Sequence, residues 1–181
     1  GTLEDNAMLK AKYYAEKTGF VSLSDDTGLF IKNLDGWPGI HSARVDSDPQ
    51  IRQNKVLEKM KGLKGDDREA EMRNCIALYD PIRNEGHIAM GKTKAKILEK
   101  PVAEIIGQFW VAPIFYVKEV EKTYSEMTTQ EKSETSHRSK SLMKMKYHIQ
   151  NAYGAKHIVV PISIIIKEGK ILMILMILTE T

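Results

Sequence analysis

Segments with the apolar spacing of helices alternate with strand-like segments along most of this chain, which restricts it to folds that pack helices against a sheet. Thr2, Asp48 and Thr128 each stand where a helix cap is expected, close before an apolar pattern with helical spacing. Gly19 and Gly62 follow the first two of these patterns and predict where those helices end. Helices are therefore expected after each of the three caps.

Strand character is concentrated in five short runs that turn residues separate. The first two, "GFVSLS" and "LFIKNL", flank a predicted tight turn, "DDTG", and the others are "EMRNCIALYD", "EGHIAMG" and "TKAKIL". Asp80 and Pro81 mark the turn after the third run. Together with the helices, these runs predict an α/β fold in which helices flank a mixed twisted sheet.

The composition fits a single domain with its own core, because 181 residues with 42% hydrophobic side chains are enough to form one. A net charge of +3 is compatible with an anionic ligand but too small to indicate nucleic acid, so no nucleic acid partner is expected. Cys75 is the only cysteine, so no disulfide can form within the chain. A reducing, cytoplasmic location is expected.

Two apolar runs near the end of the chain, "IVVPISIII" and "ILMILMIL", lie on either side of "KEGK". Neither run reaches the ~20 residues that a membrane-spanning helix needs, so no membrane association is expected. We predict an apolar C-terminal extension over residues 153–181 that forms a β-hairpin turning at Glu168 and Gly169. Three explanations stay open for it: a replacement strand for the sheet, the beginning of a second domain, or a segment without a selected role.

The stretch "SDDTGL", residues 24–29, has two interpretations. Asp, Thr and Gly are common turn residues, so it could be an ordinary turn between two strands. It could also form a metal and phosphate site, in which Asp25 or Asp26 binds Mg²⁺ through carboxylate oxygens. In that case the Thr27 hydroxyl would bind a ligand oxygen, and Gly28 would let the backbone approach the ligand.

The stretch "EKSETSHRSK", residues 131–140, contains three side chains that could hold an anion: Lys132, His137 and Arg138. On one straight helix, Lys132 and His137 would lie about 140° apart, at about 100° per residue. They converge only if the helix breaks between them, and Ser136 is a suitable cap for a second helix that would end at Gly154. The first turn of that helix would offer backbone N–H groups to an anion. A solvated basic helix face is the alternative explanation.

Several motifs occur in a fixed order along the chain: "GTLEDNAMLKA", "SDDTGL", "LDGWPGIHSAR", "PIF" and "KTYSEMTTQEKSETSHRSKSL". They are similar to the patterns G-T-x-F-x-E-N-A-x-x-K-A, A-D-D-S-G-L, L-x-G-x-P-G-x-x-S-A-R and K-T-F-A-E-M-x-x-x-E-K-N-x-x-S-H-R-x-x-A-L. Over about residues 1–150, the chain thus resembles the inosine/xanthosine triphosphate pyrophosphatase family. The resemblance implies an inosine triphosphate pyrophosphatase-like fold over residues 1–152. It also implies hydrolysis of non-standard purine nucleoside triphosphates (ITP, dITP and XTP) to monophosphate and pyrophosphate, as house-cleaning of the nucleotide pool.

The resemblance also implies roles for individual residues. Asp26 matches the aspartate that serves as catalytic base and Mg²⁺ ligand, and Asp25 and Asp5 match further metal positions. The substrate-binding positions fall on Thr27, Phe109, Lys132, His137 and Arg138. The implied cofactor is Mg²⁺, and the implied assembly is a homodimer.

Four differences from the family pattern bear on activity. The family begins with a buried strand and an S-N-x-G-K-type loop that have no match here, so we expect an incomplete domain. The base-recognition pattern G-F-G-Y-D-P-I-F reads "QFWVAPIF", in which Trp110 replaces a glycine, Val111 an aromatic residue and Ala112 an aspartate. The indole of Trp110 is expected to obstruct the base. Asp5 replaces a metal-binding glutamate, and "TKAKI" replaces a segment with an acidic residue and a glycine.

The leading hypothesis is therefore a Mg²⁺-dependent nucleoside triphosphate pyrophosphatase. One alternative is a catalytically impaired fragment or pseudoenzyme of this family that binds nucleotide weakly. A third hypothesis is an interaction module that uses the apolar C-terminal extension. The enzyme hypothesis requires Asp26 to share one cleft with the three side chains of the basic stretch.

Overall fold

The computed structural model of the protein describes residues 1–153, 157–167 and 170–179, with side chains described up to residue 150. Within these ranges the helices are α1 (Leu3–Thr18), α2 (Pro49–Lys59), α3 (Thr129–Thr135) and α4 (His137–Tyr153). The strands are β1 (Ser22–Ile31), β2 (Pro38–Gly39), β3 (Glu69–Asp80), β4 (Glu85–Ile97), β5 (Phe115–Val117), β6 (Lys122–Thr123), β7 (His157–Lys167) and β8 (Lys170–Thr179).

The helices begin at the caps that the sequence predicts. The Thr2 hydroxyl accepts a hydrogen bond from the Asp5 N–H, and the Asp5 carboxylate accepts one from the Thr2 N–H, each at 3.0 Å. The Asp48 carboxylate likewise accepts hydrogen bonds from two N–H groups in the first turn of α2. Gly19 ends α1 in the left-handed conformation, with φ 74°. These local signals fix helix ends because they satisfy backbone groups that have no partner within the helix.

Six strands form one sheet in the order β2-β1-β3-β4-β5-β6. The pairs β1–β2, β4–β5 and β5–β6 are antiparallel. The combination of this sheet with four described helices confirms the predicted α/β class. The chain forms both helices and a sheet because strand-like and helix-like segments alternate along it.

The predicted turn at "DDTG" is wrong, because residues 22–31 form the uninterrupted strand β1. The runs "EGHIAMG" and "TKAKIL" are likewise parts of one strand, β4. β2 pairs only with Leu29 and Phe30 of β1, so we attribute the continuity of β1 to its pairing with β3. That pairing outweighs the turn preference of these residues. The turn predicted at Asp80 and Pro81 is confirmed, since β3 ends at Asp80.

Contacts between residues divide the chain into two compact units, which we describe separately. The first unit comprises Gly1–Asp26, Cys75–Met90 and Ser141–Thr181, and the second comprises Thr27–Asn74 and Gly91–Lys140. Buried side chains of the first unit form a small cluster: Leu23, Ile76, Leu78, Ala89, Met145 and Ile149. The cluster of the second unit is larger and includes Leu29, Ile31, Val56, Met60, Trp110, Ile114, Phe115 and Tyr124.

The C-terminal strands β7 and β8 form a separate two-stranded antiparallel sheet. Their register runs from His157 opposite Thr179 to Lys167 opposite Lys170. The separate C-terminal extension over residues 153–181 stays a prediction. The predicted turn residues Glu168 and Gly169 and the predicted helix stop at Gly154 lie outside the described residues. In the described ranges, no helix is both long enough and apolar enough to cross a membrane.

Gly28 lies where β1 and β2 approach each other closely. A Cβ atom at this position would lie 2.4 Å from the carbonyl oxygen of Gly39 and 2.9 Å from its carbonyl carbon. Both obstacles are backbone atoms, which cannot move aside as the end of a flexible side chain can. The close approach that the sequence suggested at Gly28 is therefore an approach between two strands.

We expect Gly28→Ala to lower the free energy of unfolding by about 3 kcal/mol, because an added methyl group in a closely packed site forces the backbone apart. Urea denaturation measures this loss. Gly19→Ala is the matched control: nothing lies within 4 Å of a Cβ there, but φ is 74°. That variant should lose about 1–2 kcal/mol through its left-handed backbone alone. A Gly28→Ala protein as stable as the wild type would contradict the steric explanation.

Candidate active site

In the first unit, α1 presents two polar side chains to the carboxylate of Asp26. The Asn6 amide donates a hydrogen bond to Asp26 Oδ2 at 3.0 Å, and Lys10 Nζ lies 3.1 Å from Asp26 Oδ1. Lys10 Nζ also donates to the backbone carbonyl of Asp25 at 2.6 Å. Asn6 and Lys10 are four residues apart and therefore share one face of α1. The Asp26 side chain, 21% exposed, is thus oriented by two contacts yet open to solvent.

Asp5, the third predicted metal ligand, is exposed and caps α1 together with Thr2. Within the part of the chain that the structure describes, no group of three or more His, Cys, Asp and Glu side chains is arranged to hold a metal ion. Mg²⁺ commonly binds proteins through one or two carboxylates and the phosphates of a substrate.

In the second unit, a cavity of about 810 Å³ brings five predicted residues together. Its lining includes all the predicted substrate-binding residues: Thr27, Phe109, Lys132, His137 and Arg138. A volume of this size suits a ligand as large as a nucleotide, since small-molecule sites commonly span about 300–1,000 Å³. Asp26 precedes Thr27 on β1 and belongs to the first unit. Its sharing of one cleft with the basic residues stays a prediction.

The basic residues reach this cavity because the helix breaks at Ser136, as the sequence predicts. α3 ends at Thr135, Ser136 is extended with φ −70° and ψ 147°, and α4 begins at His137. The Ser136 hydroxyl accepts a hydrogen bond from the N–H of Ser139 at 3.1 Å and so caps α4. His137 is buried, and Arg138 beside it is exposed. Both lie in the first turn of α4, where backbone N–H groups favour an anion.

An aromatic group lies beside His137. The ring centroids of Phe109 and Tyr124 are 5.7 Å apart, and those of Tyr124 and His137 are 6.1 Å apart. The Tyr124 hydroxyl lies 3.2 Å from His137 Nδ1. Burial raises the pKa of Tyr124, while polar contacts from the Thr93 side chain and the His137 backbone act in the opposite direction. The phenol is therefore neutral at physiological pH.

A hydrogen bond from a residue of β3 holds the Thr27 side chain. Its hydroxyl accepts a hydrogen bond from the side-chain amide of Asn74 at 2.7 Å, and Asn74 is completely buried. Thr27 can still donate its own hydrogen, because a hydroxyl both donates and accepts. The sequence did not mark Asn74 as a site residue, since it is far from Thr27 in the chain and only the pairing of strands brings the two together.

The segment that departs from the base-recognition pattern lies beside the same cavity. Trp110 lines the cavity but is only 5% exposed, because it packs in the core of the second unit. Its backbone carbonyl accepts a hydrogen bond from the buried side chain of Gln53 at 2.7 Å. Ala112 is also buried, whereas Phe109 is 41% exposed. Phe109 is therefore the aromatic side chain of this segment that a ligand can reach.

Residues of the "TKAKI" segment line a second cavity of about 810 Å³. Lys92, Lys94 and Lys96 of β4 all line it, because alternate residues of a strand share one face. Lys92 pairs with Glu71 at 3.5 Å, and Lys96 pairs with Asp66 at 2.7 Å. These carboxylates offset part of the positive charge, so the cavity that holds the predicted substrate-binding residues is the better candidate site.

Comparison with known proteins gives similar sequences over most of the chain. A family model described as the Ham1 family matches residues 1–148. A dITP/XTP pyrophosphatase from Thermus thermophilus is 41% identical over 145 residues, which are 78% of this chain and 68% of that protein. A protein of the same name from Bacillus subtilis is 37% identical over 147 residues, which are 80% of this chain and 73% of that protein.

Solved structures show that the similarity extends to the fold. The structure of a HAM1 protein from Coxiella burnetii has a TM-score of 0.75 and 32% identity, and covers 83% of this chain and 77% of that one. The Ham1 protein from Staphylococcus aureus has a TM-score of 0.77 and 28% identity, and covers 84% and 78%.

Glu131 stabilises the start of α3, the helix that carries Lys132. Its carboxylate is bonded to the Lys122 ammonium and accepts a hydrogen bond from the Thr128 N–H at 2.8 Å. These contacts lower the pKa of Glu131 to about 2. Because the pKa is lower in the folded than in the unfolded chain, the contribution to stability is complete above about pH 4.5 and is lost as the pH falls towards 2.

We expect Glu131→Gln to lower the melting temperature at neutral pH and to flatten its decline between about pH 4.5 and 2, since the titrating carboxylate is removed. Thermal unfolding monitored by circular dichroism over this pH range measures the effect. Glu134→Gln, on the same helix, is the matched control. A decline as steep in Glu131→Gln as in the wild type would contradict this assignment.

Proposed function

Since the chain belongs to the Ham1 family and is a nucleoside triphosphate pyrophosphatase, we propose that it hydrolyses the non-standard purine nucleotides ITP, dITP and XTP to monophosphate and pyrophosphate. The observation that carries this proposal is the cavity that five matching residues line together. Several relatives carry the name dITP/XTP pyrophosphatase. The comparisons do not favour the alternative of a catalytically impaired relative.

The groups around the cavity suit the parts of a nucleoside triphosphate. Lys132 would attract phosphate oxygens as a point charge, and the planar guanidinium of Arg138 would bind two acceptors at once. The hydroxyl of Thr27 would bind a further oxygen. His137 would meet the nucleotide through Nε2, because its Nδ1 faces the Tyr124 hydroxyl. Phe109 offers an exposed ring on which the base would stack.

We assign to Asp26 the role of general base. Its carboxylate would take a proton from the water that attacks the α-phosphoryl group, while the bond to the bridging oxygen breaks and pyrophosphate leaves. Asn6 and Lys10 support this role because they orient the carboxylate. Asp26 directly precedes Thr27 on β1, so the chain itself keeps their Cα atoms about 3.8 Å apart.

The residues around Asp26 fit a hard cation such as Mg²⁺, which we propose as the cofactor. Carboxylate oxygens are the hard ligands that Mg²⁺ prefers, and the contacts from Asn6 and Lys10 hold the Asp26 carboxylate in one orientation. Asp26 would hold the ion, with Asp25 and Asp5 as further predicted ligands. When bound, Mg²⁺ would supply positive charge against the phosphate oxygens. The task of the side chains is to fix the carboxylate and the nucleotide in place.

A cytoplasmic homodimer completes the proposal, as the family resemblance implies. The state of the one cysteine is consistent with a reducing compartment. Cys75 is buried, and burial raises the pKa of its thiol to about 12. The thiol therefore stays protonated and takes no part in the reaction.

We expect the purified protein to release pyrophosphate from inosine and xanthosine triphosphates when Mg²⁺ is present. The values of kcat/KM for adenosine and guanosine triphosphates should be at least about tenfold lower, because the site must separate bases by their polar groups. A pyrophosphate release assay with the four nucleotides, with and without Mg²⁺, measures this. Release from none of them, or equal release from all four, would overturn the proposed function.

We expect Asp26→Asn to lower kcat for inosine triphosphate by about 10²–10⁴-fold, because the amide cannot accept the proton of the attacking water. Steady-state kinetics measure the loss, and nucleotide binding by calorimetry should be retained. Asp35→Asn is the matched control, since Asp35 is an exposed turn residue with φ 50°, a conformation that Asn also adopts. Full activity in Asp26→Asn would show that another group acts as the base.

A further inference from the structure

The side chains of Tyr124 and His137 make a buried contact. Tyr124 is 2% exposed and His137 is 5% exposed, and the hydroxyl lies 3.2 Å from Nδ1. Both residues line the candidate cavity. An imidazole whose Nδ1 is held in this way meets a ligand through Nε2, because the two nitrogens point in different directions.

The direction of this hydrogen bond follows the state of the imidazole. The Tyr124 hydroxyl donates to Nδ1 when that nitrogen carries no hydrogen and accepts from it when it does. In both cases the contact engages Nδ1 and restrains the orientation of the ring.

The sequence supports a role that is particular to this chain. The family pattern K-T-F-A-E-M has phenylalanine where this chain has Tyr124. The same chain has Val111 where the base-recognition pattern has tyrosine. Both residues line the cavity. The pattern has its aromatic hydroxyl at the position of Val111, whereas this chain has one at Tyr124. The bond to His137 depends on that hydroxyl.

We propose that Tyr124 is a positioning residue that fixes the orientation of the His137 ring through Nδ1, so that Nε2 meets the nucleotide. For its effect on catalysis, the inference rests on the proposed function. Tyr124 acts through His137 and need not touch the substrate.

The first test reads the bond to Nδ1 directly and needs no activity. Two-bond ¹H–¹⁵N correlation spectra of the ¹⁵N-labelled protein, with His137 assigned through His137→Gln, report the hydrogen bonding of each ring nitrogen. We expect the Nδ1 resonance of His137 to shift in Tyr124→Phe, because that nitrogen loses its partner. Identical spectra for His137 in the two proteins would overturn the proposal.

The second test measures kcat/KM for inosine triphosphate in a double-mutant cycle. Tyr124→Phe keeps the ring packing and should lower kcat/KM about three- to tenfold, the usual effect of one neutral hydrogen bond. Tyr124→Phe in a His137→Ala background should cause no further loss, because Tyr124 acts through His137. Tyr116→Phe, on β5, is the matched control and should leave kcat/KM unchanged.

The two tests separate the inference from the proposed function. A further loss of kcat/KM when Tyr124→Phe is added to His137→Ala would overturn the positioning role, because Tyr124 would then act independently of His137. A wild-type protein without any hydrolysis would overturn the proposed function. In that case the correlation spectra still decide whether Tyr124 binds Nδ1 of His137.

Discussion

The unbroken course of β1 is the constraint on which the candidate site depends. β1 pairs with β3 in the sheet, and this pairing holds residues 22–31 in one extended strand. Asp26 and Thr27 are therefore consecutive strand residues with fixed backbone positions, whereas a turn would have left them on a mobile loop. Each then receives a polar contact that orients it: Asn6 for Asp26, and Asn74 for Thr27. Rigid placement of reacting groups is what positioning in catalysis requires.

Features that depend on local backbone chemistry could be predicted from the sequence. The capping residues Thr2, Asp48 and Thr128 mark the helix starts because their side chains bond to N–H groups only two or three residues away. The break at Ser136 follows from the same chemistry, together with the angular argument for Lys132 and His137. The predicted turn at "DDTG" is wrong because local backbone chemistry does not decide the structure of this segment. Its residues prefer turns locally, but β3, which pairs with β1, is distant in sequence, and this pairing outweighs the preference.

Residues that support the site through distant contacts could not be found in this way. Asn74 reaches Thr27 across 47 positions, and Lys10 reaches Asp26 across 16, so nothing local signals either contact. The spacing of Asn6 and Lys10 on one helix face was visible, but the strand that this face meets was not. Tyr124 was part of a recognised motif, yet its bond to His137 spans 13 positions and could not be predicted from that motif. Motif resemblance identified the groups that we propose for nucleotide binding, whereas the residues that hold those groups required coordinates.

The close approach of Gly28 to Gly39 limits how this sequence can evolve. The atom that excludes a side chain at position 28 is a main-chain oxygen, and every amino acid at position 39 would carry the same oxygen. No second substitution at that position can therefore act as a suppressor. A lineage that loses this glycine could recover only by remodelling the loop around "DGWPG", which requires several coordinated changes. We infer that single mutations cannot readily move the chain away from glycine at this position.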